Sequence, residues 1–204
     1  MIVTEITEVA KNRCKVYIDQ EFAFVLYKGE LRLYHLSEDG EIQEEDYREI
    51  MQVVLPKRAK LRAMNLLQKK TYTEKQLRDK LKEGFYPEEI IDDTIEYVKS
   101  FHYVDDESYA LDYLTYHEGR KSLRQIEIDL YRKGITKDIY ASAFLLWEES
   151  GGKQDEKTMI QALLEKKQYQ PDSDLKTKQK VYGFLLRKGF SPEAITRAMR
   201  LEGY

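Results

Sequence analysis

Asp105 and Asp106, with Glu107 beside them, are the strongest catalytic candidates by residue type in the 204-residue chain. They stand in the stretch FHYVDDESYA, flanked by Phe101, Tyr103 and Tyr109. Adjacent carboxylates can hold a cation or pass a proton, but both roles need a second group at a fixed spacing, and the sequence places none. The apolar-periodic run that follows offers a plainer role. An Asp just before a helix accepts a hydrogen bond from a first-turn N–H, and further acids in that turn meet the positive end of the helix dipole. The stretch therefore reads as a helix start. Phe101 and Tyr103 are expected to close the preceding unit, and Tyr109 to pack the junction.

Other candidates for chemistry fail on spacing. His35, His102 and His117 share no ligand pattern, so no metal site is expected. Cys14 is the single cysteine, which excludes an internal disulfide and leaves it without a neighbouring base. Gly183 and Gly189 bracket a helical pattern rather than a phosphate loop, and no nucleophile elbow occurs. No catalytic residue and no cofactor are expected, and the chain reads as a binding protein rather than an enzyme.

Net charge is −3, but it is unevenly spread. Residues 1–58 carry 8 basic and 12 acidic groups, whereas residues 175–204 carry 7 basic and 2 acidic. A basic end on an acidic chain can attract a polyanion locally. A second basic stretch, RKSLRQIEIDLYRKG, holds Arg120, Lys121, Arg124, Arg132 and Lys133 against Glu127 and Asp129. Leu123, Ile126 and Leu130 form its apolar stripe, which leaves the cations on the other faces as a solvated surface or a contact for a polyanion or an acidic protein. Sixteen tyrosines raise the question of base stacking, but helical spacing assigns many of them to packing.

The elements that carry these residues follow from periodicity. The segment CKVYIDQEFAFVL reads as a hairpin turning around Asp19 and Gln20, with ITEVA as a third strand. EEDYREIMQVVL reads as a helix stopped by Pro56. Beyond it, helical period dominates and a repeat emerges in LKEGFYPEEIIDDTI, LYRKGITKDIYASAF and LLRKGFSPEAITRAM. In each, a helix ends at a glycine suited to a left-handed cap, namely Gly84, Gly134 and Gly189, and a new helix starts just after. Thr73 with Gln76, and Ser122 with Gln125, match the capping-box pattern. Phe85, Ile135 and Phe190 are expected to fold back on the preceding turn. The glycine spacing leaves room for a leading helix in each unit, expected over residues 59–68, 106–116 and 156–167. In the first of these Leu61, Met64 and Leu67 are the expected core.

The fold class is therefore mainly α: three tandem three-helix repeats in an elongated curved array, after a small β-hairpin and helix extension. Boundaries are expected at 1–56 for the extension and 57–105, 106–152 and 153–204 for the repeats. Gly151 and Gly152 are expected to give some hinge freedom. No apolar run reaches membrane-spanning length and the N-terminus lacks the apolar centre of a signal peptide, so a cytoplasmic monomer with no membrane contact is expected.

The stretches FHYVDDESYA, RKSLRQIEIDLYRKGI, LLQKKTYTEKQLRDKL and RCKVYIDQEFAFVL resemble the RecX family, bacterial regulators of the RecA recombinase, in its Gram-positive form with an N-terminal extension. Lys69, Lys70, Thr71 and Thr73 stand where the family usually carries an Arg-x-Arg-Ser-x-x-Glu pattern. The resemblance implies a regulator that binds RecA assembled on single-stranded DNA and modulates, mostly by inhibition, its ATPase, strand-exchange and coprotease functions in recombination, DNA repair and the SOS response. It implies contact through basic faces, here Arg120, Lys121, Arg124, Arg132 and Lys133 with Arg187, Lys188, Arg197 and Arg200. Tyr103, Asp105, Asp106, Tyr109, Gly84, Gly134 and Gly189 would carry the structural signature. The alternative function is a helical nucleic-acid-binding module that needs no RecA.

Overall fold

The computed structural model describes residues 1–200. It forms two compact units, Met1–Asp105 and Asp106–Tyr204.

The first unit begins with an antiparallel sheet of β1 (Val3–Ala10), β2 (Arg13–Ile18) and β3 (Glu21–Tyr27), in the order β1-β2-β3. Ile18 pairs with Glu21, so the expected hairpin turns on Asp19 and Gln20 alone, and both adopt positive φ (50° and 72°). Two left-handed residues in a two-residue loop match the twist of the flanking strands, and Asp tolerates that region better than most residues. Alternation turns Cys14, Val16 and Ile18 inward. Val16 and Phe24 lie in one core with Ile50, Leu55, Ala59 and Ile90 from the helices.

α1 (Lys28–Leu33) follows the sheet, then α2 (Glu44–Glu49), a wide turn at Ile50–Val54, and α3 (Leu55–Leu67). These last three are continuous, so the helix expected to stop at Pro56 runs through it. The wide turn explains this. The N–H of Leu55 donates to the carbonyl of Ile50, five residues back. That register loosens the turn Pro56 would otherwise clash with, and its missing N–H falls where the ladder is already interrupted. The buried stripe of α3 is also displaced from expectation. Leu55, Ala59 and Ala63 face inward, while Leu61 is 62% exposed. Small alanines let the flanking elements approach closely.

α4 (Glu74–Lys82) and α5 (Glu88–Ser100) complete the first three-helix group around Leu77, Leu81, Ile91, Ile95 and Val98. Thr73 and Gln76 form the full capping box, each side chain accepting from the other residue's N–H at 3.2 and 3.3 Å. At the far end of α4 the glycine expectation fails. Phe85, not Gly84, holds the left-handed position (φ 63°), and Tyr86 N–H returns to the Leu81 carbonyl at 3.4 Å. Phe85 thus corresponds to Gly134 and Gly189, and Tyr86 to Ile135 and Phe190. Gly84 is needed for space instead, since a Cβ there would meet the Tyr86 ring at 2.7 Å and the Leu81 carbonyl at 3.0 Å. The Lys15 ammonium lies 4.3 Å from the Phe85 ring centre, which offsets part of the cost of the backbone conformation.

The end of α5 also departs from expectation. Val104 closes the core, while Phe101 and Tyr103 are 54% and 51% exposed and stack on one another at 5.8 Å. Only one side chain of the stretch can point back at the helix group, and the aliphatic one fits the remaining space.

The second unit starts at α6 (Asp106–His117), so Asp105 holds the residue before the first turn and Asp106 and Glu107 lie inside it. α7 (Leu123–Arg132) and α8 (Lys137–Glu149) join α6 around Leu114, Ile126, Leu130, Ala143 and Trp147. Tyr109 is part of this group, packed on its edge and stacked with Tyr113 at 6.4 Å. The third group is α9 (Glu156–Lys166), α10 (Leu175–Arg187) and α11 (Pro192–Met199), closed around Ile160, Leu164, Leu185, Phe190 and Ile195. Here the glycine expectations hold. Gly134 and Gly189 adopt φ of 97° and 88°, and Ile135 and Phe190 return N–H groups to Leu130 and Leu185. Gly151 and Gly152 close the end of α8, with Gly152 packed on Trp147 and Gly151 in open space. Gly151 has φ 92°, Gly152 N–H donates to the Trp147 carbonyl at 2.9 Å, and a Cβ on Gly152 would overlap the indole at 2.2 Å.

A candidate basic interface between the second and third helix groups

Ser122 builds the joint on which the basic residues stand. Its hydroxyl accepts from the Gln125 N–H at 3.2 Å, as an N-cap of α7, and donates to the Lys188 carbonyl at 2.7 Å at the end of α10. Ser122 is 1% exposed, so this hydroxyl is fully used. Gly189 lies against it, and a Cβ there would stand 2.5 Å from the Ser122 oxygen. The second half of the expected capping box is absent. The Gln125 side chain is turned along α7 instead, its amide N–H donating to the Asp129 carboxylate at 3.0 Å, a charge-assisted bond.

Beside this joint lies an open concavity of about 600 Å³. Met159, Leu163, Phe184 and Phe190 give it an apolar floor, and Arg120, Lys121, Lys166, Arg187 and Lys188 surround it. Asp129 is the single carboxylate among its lining residues. The cations differ in freedom. Lys121 is held by Asp129 at 2.8 Å and by the Tyr113 hydroxyl at 3.0 Å. Burial disfavours the Lys121 charge, but these bonds outweigh it and raise its pKa. Burial likewise opposes the Asp129 charge, while Lys121 and Gln125 hold its carboxyl below the usual range. Arg120 lies over the Tyr116 ring at 4.6 Å, and Lys167 over Phe184 at 4.8 Å. Arg120, Arg187 and Lys188 are exposed. His117 registers the surrounding charge: partial burial lowers its pKa first, and Lys121, Arg120 and Lys133 lower it further against the pull of Asp129.

Of the basic residues singled out from the sequence, Arg120, Lys121, Arg187 and Lys188 therefore meet in one place. Arg124 is exposed next to Gly189. Lys133 lies 5.6 and 5.5 Å from the Tyr109 and Tyr113 ring centres. Arg132 is exposed at the end of α7, Arg197 belongs to α11 and Arg200 caps its C-terminus, both outside the lining of the concavity. Lys166, Lys167 and Phe184 were missed. The adjacent lysines closing α9, and an aromatic three residues before Arg187, are the signals that point to them. No group of three or more metal-ligating side chains occurs among the described residues. No helix among them is long and apolar enough to cross a membrane.

Comparison with known proteins places this architecture. Residues 59–97 match the model of the first three-helix domain of RecX, and residues 154–199 that of its third three-helix domain. The regulatory protein RecX of Caldanaerobacter subterraneus is 32% identical over 98% of this chain and 100% of its own length. The chain belongs to the RecX family. Among its RecX relatives, that of Clostridium perfringens strain SM101 is 30% identical over 93% of this chain and 89% of the relative. A solved RecX structure superposes with a TM-score of 0.63, covering 98% of this chain and 99% of that one at 23% identity, and shows the same fold. The RecX of Lactobacillus salivarius superposes with a TM-score of 0.59 over 72% of this chain and 96% of its own, at 25% identity.

Proposed function

We propose that this RecX-family chain is a regulatory protein that acts on RecA filaments. On this reading it binds RecA assembled on single-stranded DNA and inhibits ATP hydrolysis, strand exchange and coprotease activity. It works in the cytoplasm as a monomer, by binding and without a catalytic step. The observation that carries the choice of surface is the concavity with an apolar floor and Arg120, Arg187 and Lys188 around it. Exposed cations around an apolar centre suit a partner that is both anionic and partly apolar, as a nucleoprotein filament is. Arg124, Arg132, Lys133, Arg197 and Arg200 extend the positive field as steering charges rather than as the docking centre.

The test is RecA-dependent ATP hydrolysis on single-stranded DNA, with the cognate RecA, at low salt and equimolar chain. Hydrolysis should fall, and the double variant Arg187→Glu, Lys188→Glu should restore it. An unchanged rate with the unaltered chain overturns the proposal. Tight single-strand binding without RecA, lost in the same variant, would favour the nucleic-acid-binding alternative.

A further inference from the structure

The first unit holds a second cluster of cations, which the proposed function does not use. Arg13 of β2 and Arg58 and Arg62 of α3 line one small, largely enclosed cavity of about 50 Å³ with Tyr27, Tyr86 and Gly84. Arg13 donates to the Gly84 carbonyl at 2.9 Å, and Arg58 to the Val25 carbonyl at 3.1 Å. Arg58 also pairs with Glu30 and lies over the Tyr27 ring at 4.8 Å. Glu30 is the single carboxylate paired with any of the three in the described residues. The Nε of Arg62 is fully buried and has no hydrogen-bond partner. All three guanidinium groups act on the Tyr86 hydroxyl, whose pKa is raised by burial and pulled back down by Arg58, Arg62 and Arg13.

Three guanidinium groups with one carboxylate leave a surplus of positive charge in a half-buried site. Unpaired buried charge is costly, and a buried donor with no acceptor adds to that cost. An anion in the cavity removes both penalties. The volume is several times the ~10–15 Å³ that one water requires on the same measure, and far too small for a nucleobase or a peptide side chain with its backbone. Guanidinium forks match the oxygens of a tetrahedral oxyanion, and the Tyr86 hydroxyl can donate as well. We infer that Arg13, Arg58, Arg62 and Tyr86 form a binding site for a single phosphate group, where the N-terminal sheet meets the first helix group. Phosphate bound there would link β2, the start of α3 and the end of α4, so occupancy would stabilise the first unit.

The experiment uses the full chain and inorganic phosphate as the probe, with chloride at matched ionic strength as the control. Thermal unfolding and calorimetric titration should show that phosphate raises Tm and binds with one-site stoichiometry. Arg62→Met keeps the aliphatic stem while removing the unpaired charge. It should weaken phosphate binding about tenfold to a hundredfold, the value of one charged hydrogen bond. In chloride its Tm should match or exceed that of the unaltered chain, because no anion is there to be lost. Arg187→Met should leave phosphate binding unchanged. Phosphate that fails to raise Tm above the chloride value overturns the site, as does binding that Arg62→Met leaves intact. Competition of phosphate with a 5′-phosphorylated and an unphosphorylated oligonucleotide then identifies the source. Displacement by the first alone means a terminal phosphate, by both a backbone phosphate, and by neither a free ion.

Discussion

In Met1–Asp105 the guanidinium groups of Arg13 and Arg58 donate to the main-chain oxygens of Gly84 and Val25, joining sheet to helix. In Asp106–Tyr204 Arg120, Arg187 and Lys188 stand in solvent around an apolar floor, and it is the Ser122 hydroxyl that joins the helix groups. The same residue type thus serves cohesion in one unit and presentation in the other. Side chains committed to carbonyl oxygens in a half-buried space cost much to remove and have few donors left over. Side chains in water cost little to remove and keep their donors for whatever docks.

Several measurements can break that contrast. The largest effect is expected for Arg58→Ala, which loses a carbonyl bond, the Glu30 pair and the contact with Tyr27. Urea unfolding should show a loss of about 2–3 kcal/mol, and a loss within experimental error would remove Arg58 from the structural class. Next is Gly189→Ala, which places a methyl against the Ser122 oxygen at φ 88°. A destabilisation of about 1–3 kcal/mol is expected. By contrast Gly119→Ala, at φ 65° with open space around it, should cost no more than about 1 kcal/mol.

A smaller effect concerns pH. The His117 pKa is lowered in the folded chain, so the unfolded chain binds more protons near the ordinary histidine value of 6.5. Stability present above that pH is therefore lost as pH falls through it toward the folded value. Unfolding curves between pH 7.5 and pH 5.5 (roughly one unit either side of an ordinary histidine) should show this slope, and His117→Asn should flatten it. The smallest change in stability is expected for Arg187→Ala with Lys188→Ala, within about 0.5 kcal/mol. If these cations meet phosphates of the filament, the salt dependence of binding should become shallower by about one phosphate contact for each charge removed. A large stability loss in this variant would show that the rim is structural after all.

Much of this could be read in the chain itself. The hairpin at Asp19 and Gln20, the helix start at Asp106, the Thr73 and Gln76 box, and the left-handed Gly134 and Gly189 depend on neighbours only a few residues away. Short-range sterics and hydrogen bonds decide such features, and those follow directly from residue order. The four stretches that resemble RecX likewise carry the family likeness in residue order alone. What failed were features set by space. Pro56 does not stop its helix because a wide turn precedes it. Phe85 takes the position expected of Gly84, with Lys15, 70 residues earlier in the chain, packed on its ring. Val104 rather than Phe101 or Tyr103 closes the first helix group because the room left fits an aliphatic side chain.

The two basic regions divide along the same line. Residue order established that the chain is rich in helix, repeats a three-helix unit and carries surplus positive charge toward its C-terminal end. It did not distinguish Arg58 and Arg62 from Arg187 and Lys188, because a charge has no periodicity that reveals its partner. Only the tertiary structure brings Arg13 to the end of α4, leaves the Arg62 Nε buried without an acceptor, and gathers Arg120, Lys166 and Arg187 around Phe184. Coulomb and hydrogen-bond energies depend on distance and on how much water is excluded, and both are properties of the folded chain.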